Sequence, residues 1–244
     1  MDRKTVTYEV EEKKFKGYLV KNEIVNAPRP GIIVAHAWKG QDEFAREKAD
    51  DLARLGYVAF AADVYGDGKE VETNDEAMAL MSPLFLDRSL LRKRICAAYE
   101  AFKAESFVDG NQIGAIGFCF GGMTVIELLR SGVALKGVVS FHGVLGTALG
   151  DLKAAPVANA EKIQGSLLIL HGHDDPMVSN EDLLNIQKEF TEAGVDWEID
   201  IYGHTKHAFT NPDADDDTLG LKYNERADSR SWSAMKRFFG EKLT

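Results

Sequence analysis

Cysteine is scarce in this chain of 244 residues: there are two, Cys96 and Cys119. In a reducing compartment such a pair builds no disulfide framework, so the fold must be held by its core. Cys96 falls in a helical pattern with Ile95, Tyr99 and Phe102, where a small buried hydrophobe is expected. An excess of basic charge is also lacking. Lys and Arg total 29 against 39 Asp and Glu, giving a formal net charge of -10. A surface of that sign repels nucleic acid and anionic membrane, and neither is an expected partner. Apolar runs are short: residues 31–35 and 167–170 fall far below the length of a bilayer span. The start, Met1-Asp2-Arg3-Lys4-Thr5-Val6, is polar and has no apolar signal stretch. A cytoplasmic location is the expectation. Repeats, low-complexity tracts and interdomain linkers are missing too. A single domain over residues 1–244 is expected, with 45% hydrophobic residues to fill a sizeable core.

What is present is regular strand-helix alternation. Residues 5–10 and 15–20 alternate in polarity and read as two antiparallel strands, closed by the loop Asn26-Ala27-Pro28-Arg29-Pro30. Buried strands are predicted at 31–36, 57–64, 112–117, 136–142, 166–172 and 196–202. Helices are predicted at 44–55, 74–81, 87–104, 121–131 and 181–193, with a largely helical stretch from Thr218 to Phe239. Gly56, Gly132 and Gly194 close three of these helices. The fold class is α/β: a mostly parallel sheet with helices on both faces and antiparallel N-terminal strands. Ligands of such sheets bind beyond the carboxyl ends of the strands.

Chemistry gathers at those ends. In Ile116-Gly117-Phe118-Cys119-Phe120-Gly121-Gly122 a strand runs into a helix through a cysteine flanked by glycines. That is a nucleophile elbow with a thiol where serine is commoner. A reactive side chain on a sharp strand-to-helix turn needs small neighbours, because the helix packs close. The turn sets the sulfur at the positive end of the helix, which favours thiolate.

All six histidines, His36, His142, His171, His173, His204 and His207, fall at or just after predicted strand ends. In Leu170-His171-Gly172-His173-Asp174-Asp175-Pro176 a strand enters a loop with two carboxylates. In Tyr202-Gly203-His204-Thr205-Lys206-His207-Ala208-Phe209 the last sheet strand enters a loop with two histidines. Nucleophile, acid and base thus follow in the chain order of α/β-hydrolases. A thiol there needs a base, and the base needs a carboxylate to fix its tautomer.

These motifs resemble the dienelactone hydrolase family of the α/β-hydrolase superfamily, over most of the chain from Pro30 onward. The most specific mark is Gly-x-Cys-x-Gly-Gly at residues 117–122, joined by Gly-x-x-Asp-x-x-Val at 172–178 and His-x-Phe at 207–209. The run Ala61-Ala62-Asp63-Val64-Tyr65-Gly66 is similar to the segment following a family strand. The resemblance implies Cys119 as nucleophile, His207 as base and then acid, and Asp175 as the orienting acid, in preference to His204 and Asp174. It implies an oxyanion hole from the backbone N–H groups of Trp38 and Phe120. Their positions agree: Phe120 follows the nucleophile, and Trp38 lies in the loop after the first buried strand. The implied activity is hydrolysis of a small ester or lactone, with no cofactor.

Two positions depart from the family pattern. Ala37 stands where familiar members carry a glutamate that readies the thiol, and Asn211 stands where they carry an arginine for a substrate carboxylate. The first departure leaves open a second reading, a non-catalytic small-ligand-binding protein on the same scaffold. Residues proposed to face substrate are His36, Arg88, Phe209 and Asn211, although Arg88 and Arg92 lie in a charged helix where solvation is expected. Among the aromatics, Trp38 and Phe120 are assigned to a pocket, and Phe118 and Phe141 to the core. The histidines and aspartates match no compact metal motif, so no metal is expected.

Overall fold

The longest strand of the sheet ends at the cysteine. It is β5 (Val108–Phe118), and its last residues are buried on both faces. The computed structural model describes residues 1–24, 27–155, 159 and 161–243; Asn26 of the predicted first loop lies outside them. Before β5 come β1 (Asp2–Val10), β2 (Lys13–Lys21), β3 (Arg29–Ala35), α1 (Glu43–Arg54), β4 (Val58–Ala62), α2 (Asn74–Leu86) and α3 (Arg88–Lys103). After it come α4 (Phe120–Arg130), β6 (Gly137–Phe141), a small hairpin of β7 (Ala148–Leu149) and β8 (Leu152–Lys153), and β9 (Ser166–Gly172). The chain ends with α5 (Asn180–Glu192), β10 (Trp197–Tyr202), a second small hairpin of β11 (Asp215–Asp216) and β12 (Leu221–Lys222), and α6 (Glu225–Lys242).

The main sheet has eight strands in the order β1-β2-β4-β3-β5-β6-β9-β10. β1 and β2 pair antiparallel, and β2 joins β4 antiparallel; the other pairings are parallel. β4, β6 and β9 are buried throughout, and β3 from Gly31 onward, because helices cover both faces. On one face Ala49 and Leu52 of α1 and Met235 and Phe239 of α6 pack on Ile32, Ile116 and Leu168. On the other, residues of α2 to α5, including Phe85, Ile95, Val125 and Phe190, pack with Ile33, Ala115 and Ile169. Each of the larger side chains among these, fully buried, contributes roughly 1.5–3 kcal/mol before the entropy of ordering it is set against the gain.

The helix predicted from Thr218 begins later, at Glu225. Gly220 sits at φ 69°, β11 and β12 pair across it, and the Asn224 side chain accepts from Ala227 N to cap α6. That delay matters, because the hairpin braces a functional loop. β6 also stops one residue short of His142, which turns out of the strand at φ 38°.

Candidate active site

The chain passes from β5 to α4 through one residue, Cys119. Its backbone stands at φ 57° and ψ -117°, a conformation that costs a non-glycine residue about 1–3 kcal/mol. Packing around the turn explains its glycines. A Cβ at Gly117 would lie 2.0 Å from the Gly121 carbonyl oxygen, and one at Gly121 would lie 2.0 Å from that of Ala35. With hydrogen there instead, α4 starts directly against the end of β3. The Cys119 amide donates to the Phe141 carbonyl at 3.1 Å, tying the turn to β6. The thiol is free and half-buried, at the helix end where negative charge is favoured.

Asp175 follows β9, and its Oδ1 accepts from the Met177 amide at 2.8 Å. Ser179 and Asp182 cap α5 reciprocally, so Asp175 is not spent as a cap. His207 follows β10. Its amide donates to Gly220 and its carbonyl accepts from Lys222 N, so the β11–β12 hairpin holds it from outside the sheet. His207 Nδ1–H donates to Asp175 Oδ2 at 2.7 Å, with both side chains fully buried. The competing residues, Asp174 and His204, are exposed.

With Nδ1 committed, His207 Nε2 is buried and has no hydrogen-bond partner of full geometry among the described residues. Burial opposes a charge on the ring. The charge at Cys119, then the charge and hydrogen bond of Asp175, outweigh it and raise the imidazole pKa to about 10. Sulfur is a weak hydrogen-bond partner, and charge attraction is the larger part of the Cys119–His207 contact. Tyr65 senses the same sulfur: burial, then the Cys119 charge, push its hydroxyl well above the ordinary tyrosine value.

Trp38 is half-buried in the loop after β3. The amides of Trp38 and Phe120 donate to no group among the described residues. The other side-chain expectations need correction. The Phe120 ring is fully buried and stacks on Tyr65 with centroids 6.0 Å apart, so only its backbone stands at the turn. Phe209 is likewise fully buried, edge-on to His142 and Tyr202, because the strand ends close into core there. Phe118 and Phe141 stack in the core as expected. His36 is buried, with both ring nitrogens on backbone groups rather than facing a pocket. Arg88 is neither solvated nor free. It is 4% exposed, donates to the Phe85 and Gly146 carbonyls, and lies 3.7 Å from Glu127. Asn211 accepts from the Asp213 amide at 3.0 Å and shapes a turn.

His142 was not given a role by its sequence position, and its place after β6 was the only signal. Its ring stands edge-on to His207 at 5.2 Å, and its Nε2 lies 2.8 Å from Thr210 Oγ1. Burial and the neighbouring His207 charge hold its pKa well below the ordinary value, so it is a neutral wall beside the His207 ring. Among the described residues no group of three or more His, Cys, Asp or Glu side chains could hold a metal ion. No helix there is long and apolar enough to cross a membrane.

A sequence model described as the dienelactone hydrolase family matches residues 15–243. The chain belongs to the dienelactone hydrolase family. Two solved structures are similar over its whole length. One is named m3DLH; the other is a dienelactone hydrolase-like promiscuous phosphotriesterase, P91, from metagenomic libraries. Each has 36% identity and a TM-score of 0.91, and each alignment covers 100% of this chain and 99% of the other. Protein usf of Aquifex pyrophilus is 28% identical over 98% of both chains. The protein is thus a hydrolase of this family with the α/β-hydrolase fold.

Proposed function

We propose that this family hydrolase cleaves small, uncharged esters or lactones through an acyl-enzyme on Cys119. The carrying observation is the buried Asp175–His207 hydrogen bond, which leaves Nε2 unspent beside the sulfur. Asp175 fixes the imidazole tautomer and supports its charge. The proton of the Cys119 thiol passes to Nε2, and Sγ attacks the carbonyl carbon. The carbonyl oxygen gains negative charge against the Trp38 and Phe120 amides. The intermediate collapses, the ester C–O bond breaks, and the leaving alkoxide takes the proton from Nε2. Water then gives a proton to Nε2, attacks the thioester carbonyl and releases the sulfur, which completes hydrolysis.

Ala37 offers no activating carboxylate. The His207 imidazole supplies the alternative: once it has taken the thiol proton it is positively charged beside the sulfur, and the Cys119 and Asp175 charges favour that state. This favours catalysis over ligand binding alone. The preference for uncharged substrates follows from Asn211, in place of an arginine, and from Arg88, whose guanidinium is committed to Glu127 and two carbonyls. The test is a panel of lactones, aryl esters, thioesters and an aryl phosphotriester, run beside Cys119→Ala and Cys119→Ser. Hydrolysis of neutral esters that disappears in Cys119→Ala is expected. Unchanged turnover in that variant would reject the proposal.

A further inference from the structure

The loop that carries the Trp38 amide is gripped by two buried side chains that the proposed reaction does not use. Val64 N–H donates to His36 Nε2 at 3.3 Å, and His36 Nδ1 lies 2.6 Å from the Ala37 carbonyl oxygen. A backbone N–H only donates and a carbonyl only accepts. The two contacts together therefore assign a neutral ring with its hydrogen on Nδ1. Burial lowers the pKa of this ring, in keeping with that assignment. The Ala37 carbonyl and the Trp38 N–H belong to one planar peptide. A bond that fixes the oxygen fixes the direction of the hydrogen on the other side.

Tyr65 holds the next peptide. Its hydroxyl donates to the Trp38 carbonyl at 2.8 Å. Tyr65 is held in turn by the fully buried Asp63 carboxylate, which accepts from the amides of Tyr65, Gly66, Gly68 and Lys16 at 2.7–3.0 Å. The Tyr65 ring stacks on Phe120, the residue with the other candidate donor, and the His36 ring lies 4.7 Å from Tyr65.

We propose that His36 and Tyr65 are positioning residues of the oxyanion hole, locking the two peptides on either side of Trp38 so that its N–H is aimed before substrate arrives. This rests on the acyl-enzyme reading above. Preset donors act on charge that exists only in the transition state. Loosening them lowers kcat and leaves KM nearly unchanged. Alkylation of a thiol by iodoacetamide builds no oxyanion, so its rate is indifferent to this lock.

The experiment uses the full chain with a neutral aryl ester and the variants His36→Ala, His36→Asn and Tyr65→Phe. His36→Ala is expected to lose about 10- to 100-fold in kcat, the scale of a misaimed donor. His36→Asn keeps a donor near the Nδ1 position and recovers most of that loss. Tyr65→Phe keeps the ring stack and loses about 10-fold; it carries the test if His36→Ala does not fold. In each variant the iodoacetamide rate at Cys119, read by mass spectrometry, stays at the wild-type value. Wild-type kcat in Tyr65→Phe and His36→Ala, or alkylation that falls in step with kcat, would overturn the proposal. An inactive Cys119→Ala beside unaffected His36 and Tyr65 variants defeats this inference alone. An active Cys119→Ala defeats the acyl-enzyme reading first.

Discussion

Two buried charged groups lie along α4, and they are built on opposite plans. At its start, Asp175 satisfies one nitrogen of His207 and leaves the other unspent beside Cys119. Further along the helix, Glu127 is 4% exposed and is ringed by arginines: Arg92 at 2.7 Å, Arg130 at 2.8 Å and Arg88 at 3.7 Å. Arg130 also reaches Glu189 of α5 at 2.6 Å. This second group answers charge with charge and ties α3, α4 and α5 together. A compensated cluster of this kind has no capacity left for chemistry. The first group leaves Nε2 of His207 buried without a hydrogen-bond partner among the described residues, a cost that a purely structural site does not carry.

The comparison can be broken by substitutions that should act on one group only. Cys119→Ala, or His207→Ala, is expected to lower kcat/KM on the order of 10³-fold or more, as when a unit of this type loses a member. Steady-state kinetics on a neutral ester checks this. Glu127→Gln should do the reverse. It strands buried guanidinium charge and costs about 3–5 kcal/mol in urea unfolding, while kcat per folded molecule is retained. A large rate loss in Glu127→Gln with stability preserved would erase the distinction. Gly121→Ala sits where α4 meets β3 and should damage both properties. Its Cβ must displace the Ala35 carbonyl, and a shift of that kind costs about 10²-fold in rate.

The smallest effect sharpens the first group. His207 has a folded pKa raised to about 10 from an ordinary 6.5. Its stabilising contribution is therefore complete below the unfolded value and is lost as pH rises through the folded one. In Cys119→Ala the leading raising influence is gone, so the imidazole pKa falls and that contribution disappears at lower pH. Imidazole titration by NMR on both proteins measures it. Equal values would show that the sulfur does not act on the ring.

The elbow was legible in sequence because close packing leaves a local mark: Gly117, Gly121 and Gly122 sit where a Cβ would strike backbone. The alternation of strands and helices along the chain was legible from apolar runs and their turns. The choice of Asp175 over Asp174, and of His207 over His204, came from motif spacing, and the burial of the chosen pair agrees with it. Arg88 was misread as solvated because its covering carbonyl, Gly146, lies 58 residues away. Phe120 and Phe209 were misread because burial at a strand end depends on neighbours from other strands. The His36 contacts were hidden for the same reason: Val64 is 28 residues distant. The late start of α6 was hidden by a tight turn at Gly220 inside an otherwise helix-compatible stretch.

The most direct test of the central claim is mass spectrometry of the protein quenched during turnover of an activated neutral ester. The account predicts a mass increase equal to the acyl group, confined to the peptide with Cys119 and missing from Cys119→Ala. Undiminished hydrolysis by Cys119→Ala, or an acyl group carried on Cys96 instead, would contradict it.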